Sequence, residues 1–170
     1  MANEYIAIPT ILGLDKIQQA IWAQETFETY YLAYGDGGGS FVEPDPSRTT
    51  LINQVGLVEL DSKVLDLEED VEWFNAIIPA SDPPCTIREL GIFTVDMELI
   101  VIANCPDIVK TQVNSGALID IPLSIGVKTA YSKAITIPIQ PSDRYATKNW
   151  VVNTIHTINE VDGGNFDPTT

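Results

Sequence analysis

Residues 34–39 read Tyr-Gly-Asp-Gly-Gly-Gly, and residues 44–46, a few positions later, read Pro-Asp-Pro. The four glycines allow positive φ angles at successive positions, where residues with side chains are strained. Their spacing is not that of a phosphate-binding or dinucleotide-binding loop. A calcium loop needs oxygen ligands at alternate positions, and only Asp36 fits. We therefore expect Asp36 to form an Asx-type turn, while the glycines let another backbone segment approach closely.

Two helices are predicted in the N-terminal third of the chain. The first follows Thr10, a suitable N-cap, and its apolar residues recur at three- and four-residue steps, at Leu14, Ile17 and Ile21. The second begins at the Pro-Asp-Pro segment, because Asp45 is a good N-cap and Pro46 fits the first helical position. This second helix is expected to end near Gly56.

Most of the remaining chain has the apolar/polar alternation or the β-branched and aromatic content of strands. Strands are predicted at 4–9, 27–33, 58–67, 71–78, 86–95, 98–104, 119–127 and 133–139. Residues 86–104 are expected to form a hairpin around Asp96 and Met97, and Pro122 tends to place its strand at a sheet edge. The acidic residues Asp66, Glu68, Glu69 and Asp70 are expected to form a solvated turn. The pattern predicts an α+β fold, an antiparallel β-sheet or sandwich-like domain with N-terminal helices and a C-terminal exit helix.

The C-terminal residues have a different character. Thr147 is a plausible N-cap, and Val151, Ile155 and Ile158 follow at four- and three-residue steps. One heptad is compatible both with a helix that packs on its own domain and with a helix that pairs with other copies. We divide the chain into a domain at 1–145 and an exit helix and tail at 146–170, the latter a candidate trimerisation segment.

Composition excludes several function classes. With 24 acidic and 9 basic residues the net charge is −15, which disfavours binding to nucleic acid. No apolar run is long enough to span a bilayer, so no membrane insertion is expected. His156 is the single histidine and lies in the predicted exit helix, so we expect no catalytic residue, no metal site and no cofactor. Cys85 and Cys105 are expected to be free thiols.

Two kinds of side chain are candidates for burial or for contacts between subunits. Arg88 and Glu89 are neighbours in a predicted strand and so point to opposite faces. One of them is expected to be buried and hydrogen-bonded, or to cross a subunit boundary, and the scarcity of basic residues favours a buried role for Arg88. Trp22 and Trp73 are expected in the core, whereas Trp150 is the best candidate for an interface contact.

Segments across nearly the whole chain resemble, in order, the N-terminal domain of tail-fibre (tail-collar) proteins of contractile-tailed bacteriophages. They are the strand at 5–10 with the helix around 13–17, the glycine loop at 35–39, the Pro-Asp-Pro at 44–46, the Ile-Arg-Glu-Leu-Gly-Ile-Phe at 87–93, and the Ala-Thr-Lys-Asn-Trp at 146–150. Each segment alone is common in proteins, whereas their shared order makes the resemblance specific.

The resemblance implies a virion structural protein, not an enzyme, that docks a fibre on the tail baseplate. It assigns to the docking domain, as candidate interface residues, Gly35, Asp36, Gly37, Asp45, Arg88 and Glu89. It assigns to the exit towards a trimeric shaft Trp150, Val151, Ile155 and Ile158. The implied partners are two further copies in a homotrimer, baseplate proteins and, as an option, a distal fibre protein. The implied location is the phage tail, after synthesis in the host cytoplasm.

Two other functions are compatible with the sequence. The first is a carbohydrate-binding, receptor-binding module of a phage or bacterial surface protein, in which Tyr30, Tyr31 or Tyr34 would stack on a sugar. The second is a hydrolase of cell-wall polymers, which the single histidine disfavours. No shaft repeat or tip follows residue 150, so receptor binding is not carried over from the resemblance.

Overall fold

The computed structural model describes residues 4–111 and 119–137. The chain divides into two compact units, 1–138 and 139–170, and all described residues belong to the first. The predicted exit helix, the predicted boundary at 145/146, and Trp150, Val151, Ile155 and Ile158 lie outside the described residues. They remain predictions.

Nine strands and two helices make up the described residues, together with one 3₁₀ turn at Gly37–Gly39. The strands are β1 (Ala7–Pro9), β2 (Phe27–Glu28), β3 (Tyr31–Gly35), β4 (Gln54–Asp66), β5 (Val71–Ile78), β6 (Cys85–Phe93), β7 (Leu99–Lys110), β8 (Ile121–Lys128) and β9 (Ile135–Thr136). The helices are α1 (Ile11–Ala23) and α2 (Thr129–Ser132).

Seven strands form one antiparallel sheet in the order β1-β7-β6-β3-β4-β5-β8. The sheet is curved like a half-barrel, and its edge strands β1 and β8 lie near each other. The short strands β2 and β9 pair in parallel as a separate ribbon. The predicted antiparallel sheet is confirmed, but it is one large sheet and not a sandwich of two comparable sheets.

The core lies on both faces of this sheet. The larger apolar cluster includes Leu32 and Phe74 from the sheet and receives Ile17 from α1. The smaller cluster includes Phe93 and is closed by Leu51, from the long connection between β3 and β4. Fully burying one such side chain contributes about 1.5–3 kcal/mol. Helix α1 and the connection that contains Leu51 therefore both stabilise the sheet.

Helix α1 begins as the sequence predicts. The Thr10 Oγ1 accepts a hydrogen bond from the Gly13 N–H at 2.9 Å and donates to the Leu99 carbonyl at 2.6 Å. The Thr10 N–H also donates to the Ile100 carbonyl at 2.9 Å. Gly13 has no room for a side chain, since a Cβ there would lie 2.1 Å from the Ile100 carbonyl oxygen. The capped first turn is thereby fixed against β7.

The predicted helix from Pro46 to Gly56 is wrong. Asp45 forms an isolated turn, because its Oδ1 accepts from the Ser47 N–H at 2.8 Å and its carbonyl accepts from the Arg48 N–H at 3.2 Å. The chain then runs irregularly to β4, which already contains Gly56. Asp45, which was predicted to cap a helix, therefore stabilises a turn. Contacts with the sheet determine the path of the chain that follows.

Other elements agree with the sequence to different degrees. The hairpin around residues 96 and 97 is confirmed as β6–β7, and Pro122 lies in β8, an edge strand as expected. Residues 67–70 form the expected exposed turn between β4 and β5. The predicted strand 27–33 is split, because β2 leaves to pair with β9 while β3 enters the large sheet. Of the predicted strand 133–139, residues 138 and 139 lie outside the described residues, and among 133–137 the two residues of β9 are strand.

The prediction that Trp22 and Trp73 lie in the core is wrong. Trp22 is 76% exposed near the end of α1. Trp73 is 36% exposed on β5, and its ring lies over Gly126 of β8, whose added Cβ would stand 2.9 Å from the ring. The helical position of Trp22 places it on the side of α1 away from Ile17 and the sheet.

Candidate functional site

The glycine loop that follows β3 has the predicted backbone conformation. Gly37, Gly38 and Gly39 have φ angles of 64°, 67° and 88°. These lie in the left-handed region, where residues with a Cβ are strained. Gly37 is also constrained by space, because a Cβ would stand 2.4 Å from Cγ2 of Val42. The three glycines let the chain turn tightly against the sheet.

Asp36 holds this turn through its side chain. Its Oδ1 accepts from the Gly38 N–H at 2.8 Å, which forms the expected Asx-type turn, and from Nδ2 of Asn53 at 2.8 Å. The Asp36 N–H donates to the Asn53 carbonyl at 3.2 Å. The hydrogen bonds from Asn53 and Gly38 lower the pKa of Asp36, because they favour the ionised carboxylate. Asp36 thus joins the two ends of the connection between β3 and β4.

Glu89 binds the same connection between β3 and β4 near the point where β4 begins. Its side chain is fully buried in β6, and its two carboxylate oxygens accept from the Ile52 N–H at 2.9 Å and the Asn53 N–H at 2.8 Å. Buried carboxylates are costly without such partners, and hydrogen bonds to charged groups are the stronger kind. Glu89 therefore acts as an internal cap that ends the connection where β4 begins.

Arg88 precedes Glu89 at a register irregularity of β6, its side chain is 19% exposed, and it also contacts the glycine loop. Its Nη1 donates to the Asp36 carbonyl at 3.3 Å. Its Nε and Nη2 bind the carboxylate of Asp107 on β7 at 3.0 and 2.9 Å. This bidentate geometry orients the guanidinium plane, so that the remaining nitrogen faces the loop. Arg88 and Glu89, neighbours in one strand, thus bind the two ends of the connection, at Asp36 and at residues 52 and 53.

The structure brings together five of the six predicted docking-domain residues, namely Gly35, Asp36, Gly37, Arg88 and Glu89. Asp45 is separate. The hydrogen bonds described for it go to Ser47 and Arg48, and the Ser47 bonds lower its pKa. The next residue, Pro46, accepts from the Ile11 N–H at 2.7 Å, so this turn is tied to the start of α1.

Three residues of this site were missed from the sequence. Asn53 and Asp107 are partners of the predicted residues, as described above. Asn104 is buried; its Nδ2 donates to the carbonyls of Glu4 at 3.0 Å and Val42 at 2.9 Å, and its Oδ1 accepts from the Ile6 N–H at 2.8 Å. In the sequence, Asn104 is distinguished only as the polar residue that ends the apolar run of β7.

The outer surface of the loop is apolar and exposed. Phe41 is 44% exposed and packs edge-on against Tyr5, with 6.3 Å between ring centroids. Gly38, Gly39 and Ile52 are also exposed, and a Cβ added at Gly38 would stand 3.5 Å from Cγ2 of Ile52. We call the set Tyr5, Gly38, Gly39, Phe41 and Ile52 the loop surface. Since Asp36, Arg88 and Glu89 are engaged within the chain, this site presents shape and apolar area rather than a reactive group.

The tyrosines proposed to bind a sugar are not displayed together. Tyr34 is fully buried, its ring covers Gly56, and its hydroxyl donates to Oδ2 of Asp82 at 2.6 Å. Tyr30 and Tyr31 are partly buried, with 6.1 Å between their ring centroids. Tyr34 therefore cannot stack on a sugar.

The described region contains two cysteine thiols. Cys85 and Cys105 are free, and burial raises the pKa of both thiols, that of Cys105 to about 11. Among residues 4–111 and 119–137, no three His, Cys, Asp or Glu side chains are grouped so as to hold a metal ion. No helix in these ranges has the length and apolar character that crossing a membrane requires.

Comparison with known families gives the class of the protein. A family described as phage tail-collar fibre protein, N-terminal, matches residues 1–149. The chain belongs to this family, which makes it a structural component of a phage tail fibre that associates with other tail components. No curated protein and no solved structure matches the chain at a significant level.

Proposed function

We propose that this chain is a tail-fibre or fibre-connector subunit that docks on the baseplate of a contractile-tailed phage. The observation that carries the proposal is the glycine loop, which is fixed by Asp36, Arg88 and Glu89 while Phe41 remains exposed on its outside. A rigid, exposed aromatic residue is typical of an interface anchor, since little conformational entropy is lost when it binds. The loop surface is therefore the proposed docking surface.

The charge of the chain supports a basic partner. At −15, the molecule is repelled by acidic surfaces and attracted to a basic socket over a distance of about 8 Å at physiological salt. The attachment would act through several copies per particle, so that weak single contacts add up.

The proposed assembly is a homotrimer. Residues Trp150, Val151, Ile155 and Ile158 would form the seam that three copies bury towards the shaft, as the sequence pattern suggests. A distal fibre protein would continue from there if the chain is a connector. Synthesis in the host cytoplasm and assembly into the tail complete the proposal.

The test is incorporation of variants into phage tails. Phe41→Glu places a charge on the loop surface without touching the buried network, and we expect it to lower the amount of the chain in purified tails by at least about tenfold. Leu67→Glu is the matched control, because Leu67 is 84% exposed in the turn after β4 and receives the same charge. Quantitative mass spectrometry of the tails, relative to a baseplate protein, gives the measurement.

Equal incorporation of wild type and Phe41→Glu would reject the loop surface as the docking surface. Absence of the wild-type chain from purified tails would reject the virion role altogether. A glycan array with the same protein addresses the carbohydrate-binding alternative: retention of one oligosaccharide by a monomer would favour that alternative.

A further inference from the structure

Asn104 is a polar residue at the end of an apolar, buried stretch of β7. Residues 99–103 before it are buried and apolar, and Asn104 itself is 6% exposed. An apolar side chain would continue this stretch without needing any partner, whereas a buried amide is costly unless its donors and its acceptor are satisfied. The partners of the amide therefore show what Asn104 contributes.

The Asn104 amide binds two segments that are distant in the chain. Its Nδ2 has two hydrogens to donate, and they go to the carbonyls of Glu4 at 3.0 Å and Val42 at 2.9 Å. Its Oδ1 accepts from the Ile6 N–H at 2.8 Å. We call residues 4–6 the N-terminal segment. One side chain thus joins the N-terminal segment to the connection between β3 and β4.

These two segments carry the aromatic pair of the loop surface. Tyr5 lies at the centre of the N-terminal segment, and Phe41 directly precedes Val42. The hydrogen bonds described for the N-terminal segment all involve Asn104, including the bond from the Asn104 N–H to the Ile6 carbonyl at 3.2 Å. The edge-on contact of the two rings is therefore built on bonds to Asn104 on both sides.

Asn104 also lies opposite Glu89. The register pairs Glu89 of β6 with Asn104 of β7, so the two side chains share one face of the sheet. Glu89 binds the N–H groups of residues 52 and 53 at the end of the connection, and Asn104 binds the Val42 carbonyl in its first half. Two buried polar side chains on neighbouring strands thus fix the connection at two points, and Asn104 adds the N-terminal segment to it.

We propose that Asn104 is the positioning residue of the docking surface, which it assembles from the N-terminal segment and the connection between β3 and β4. The inference rests on the proposed docking through the loop surface and deepens it, because it makes Tyr5 a required part of the contact. Since Asn104 is buried, it acts through Tyr5 and Phe41. It holds the two rings together before binding, so that the backbone entropy of both segments is not lost on docking.

The first experiment measures backbone order in the full chain by ¹⁵N NMR relaxation. Asn104→Leu retains an apolar side chain of similar size but has neither donor nor acceptor. We expect the order parameters of Tyr5, Ile6 and Phe41 to fall from about 0.85 to below about 0.6. Lys63→Met is the control, because it also removes a part-buried polar contact but has none to either segment, and it should leave these order parameters unchanged.

Ile6→Pro is a second variant that leaves Asn104 in place, in case Asn104→Leu does not fold. It removes the N–H that donates to Oδ1, at a position that is 38% exposed. Order should then fall at Tyr5 but not at Phe41, because the bond from Nδ2 to the Val42 carbonyl remains.

The second experiment measures incorporation into phage tails by the mass spectrometry proposed for Phe41→Glu, at a temperature at which every variant is folded. Asn104→Leu should lower the incorporated amount by at least about tenfold, and Lys63→Met should not. Tyr5→Ala should lower it by about threefold or more in the wild type and in Lys63→Met. In Asn104→Leu it should have no further effect, because Tyr5 is already released. A residue that only stabilised the fold would not abolish the effect of Tyr5→Ala.

Unchanged order at Tyr5 in both Asn104→Leu and Ile6→Pro would overturn the inference. Loss of order combined with normal incorporation of Asn104→Leu would also overturn it, and the loss of Phe41→Glu from tails would then still support docking through the loop surface. Normal incorporation of Phe41→Glu would overturn the docking surface and, with it, this role of Asn104.

Discussion

The carboxylate of Glu89 lies directly against Gly35, its register partner on β3. A Cβ at Gly35 would stand 2.6 Å from Oε1 of Glu89 and 2.4 Å from the carbonyl oxygen of Asn53. The same carboxylate holds the N–H groups of Ile52 and Asn53 over this point. Gly35 and Glu89 therefore depend on each other. The Glu89 carboxylate binds the backbone of residues 52 and 53 in a space that a side chain at position 35 would fill.

Gly35→Ala is expected to destabilise the domain by about 1–3 kcal/mol, because backbone and a buried charge both have to move. Urea unfolding followed by tryptophan fluorescence measures the change. Gly39→Ala is the control, since nothing lies within 4 Å of its added Cβ and it carries mainly the strain of a φ of 88°. Equal losses of stability in the two variants would show that crowding at Gly35 is unimportant.

Glu89→Gln is expected to cost about 1–3 kcal/mol although it preserves the shape of the side chain. The amide group supplies one acceptor in place of two, so its NH₂ would face the N–H of Ile52 or Asn53. The free energy of unfolding from urea denaturation gives the measurement. Glu69→Gln, in the exposed turn after β4, removes the same charge and should change stability by less than about 0.5 kcal/mol. A Glu89→Gln protein as stable as this control would contradict the capping role.

A double-mutant cycle on Arg88 and Asp107 separates the ion pair from the contact with the loop. Asp107 is 62% exposed in its side chain, so we expect a coupling of about 0.2–1 kcal/mol that weakens at high salt. Arg88→Ala should cost more than Asp107→Ala, because it also removes the donor to the Asp36 carbonyl and the packing of the Arg88 stem. Equal single-variant effects would mean that the contact of Arg88 with the loop contributes nothing to stability.

The sequence predicts the composition of this site better than its geometry. The separate roles of Arg88 and Glu89 were accessible from their adjacency in a strand, although the register irregularity between Ile87 and Glu89 departs from the strict alternation of faces. Their partners were not, because the position of Gly35 opposite Glu89 depends on a register between strands that are distant in the chain. The segment after Pro46 shows the limit of local signals. Glu89 takes the N–H groups of residues 52 and 53, which a helix would have needed for its own backbone.

Tyr34 should make stability depend on alkaline pH. Burial, and then the hydrogen bond to Asp82, raise the pKa of its hydroxyl above the ordinary 10.0. The unfolded state therefore ionises first, so the stabilisation is complete below pH 10 and is lost as pH rises through the folded-state pKa. Tyr34→Phe should be less stable by about 1–3 kcal/mol near neutral pH, and the difference should shrink above about pH 10. Urea unfolding at a series of pH values tests this; a constant difference would argue against a titrating Tyr34.

Lys63 ties the β4–β5 hairpin to the segment that leads out of the described domain. Its ammonium pairs with Glu72 at 3.0 Å and donates to the carbonyls of Ser132, at 3.2 Å, and Ile135. Lys63→Met leaves Glu72 largely buried and unpaired, which we expect to cost about 2–4 kcal/mol. The double variant Lys63→Met/Glu72→Leu should recover part of this loss, because it removes the unpaired charge.

The two Lys63 variants also separate the ion pair from the anchoring of the chain exit. In both variants the carbonyls of Ser132 and Ile135 lose their donor, so hydrogen exchange should accelerate across residues 132–137 even where overall stability is recovered. Lys128→Met, at an exposed position of β8, is the control and should leave exchange unchanged. Slow exchange at 132–137 in the double variant would mean that β2–β9 pairing alone holds this segment, and that Lys63 serves only to neutralise Glu72.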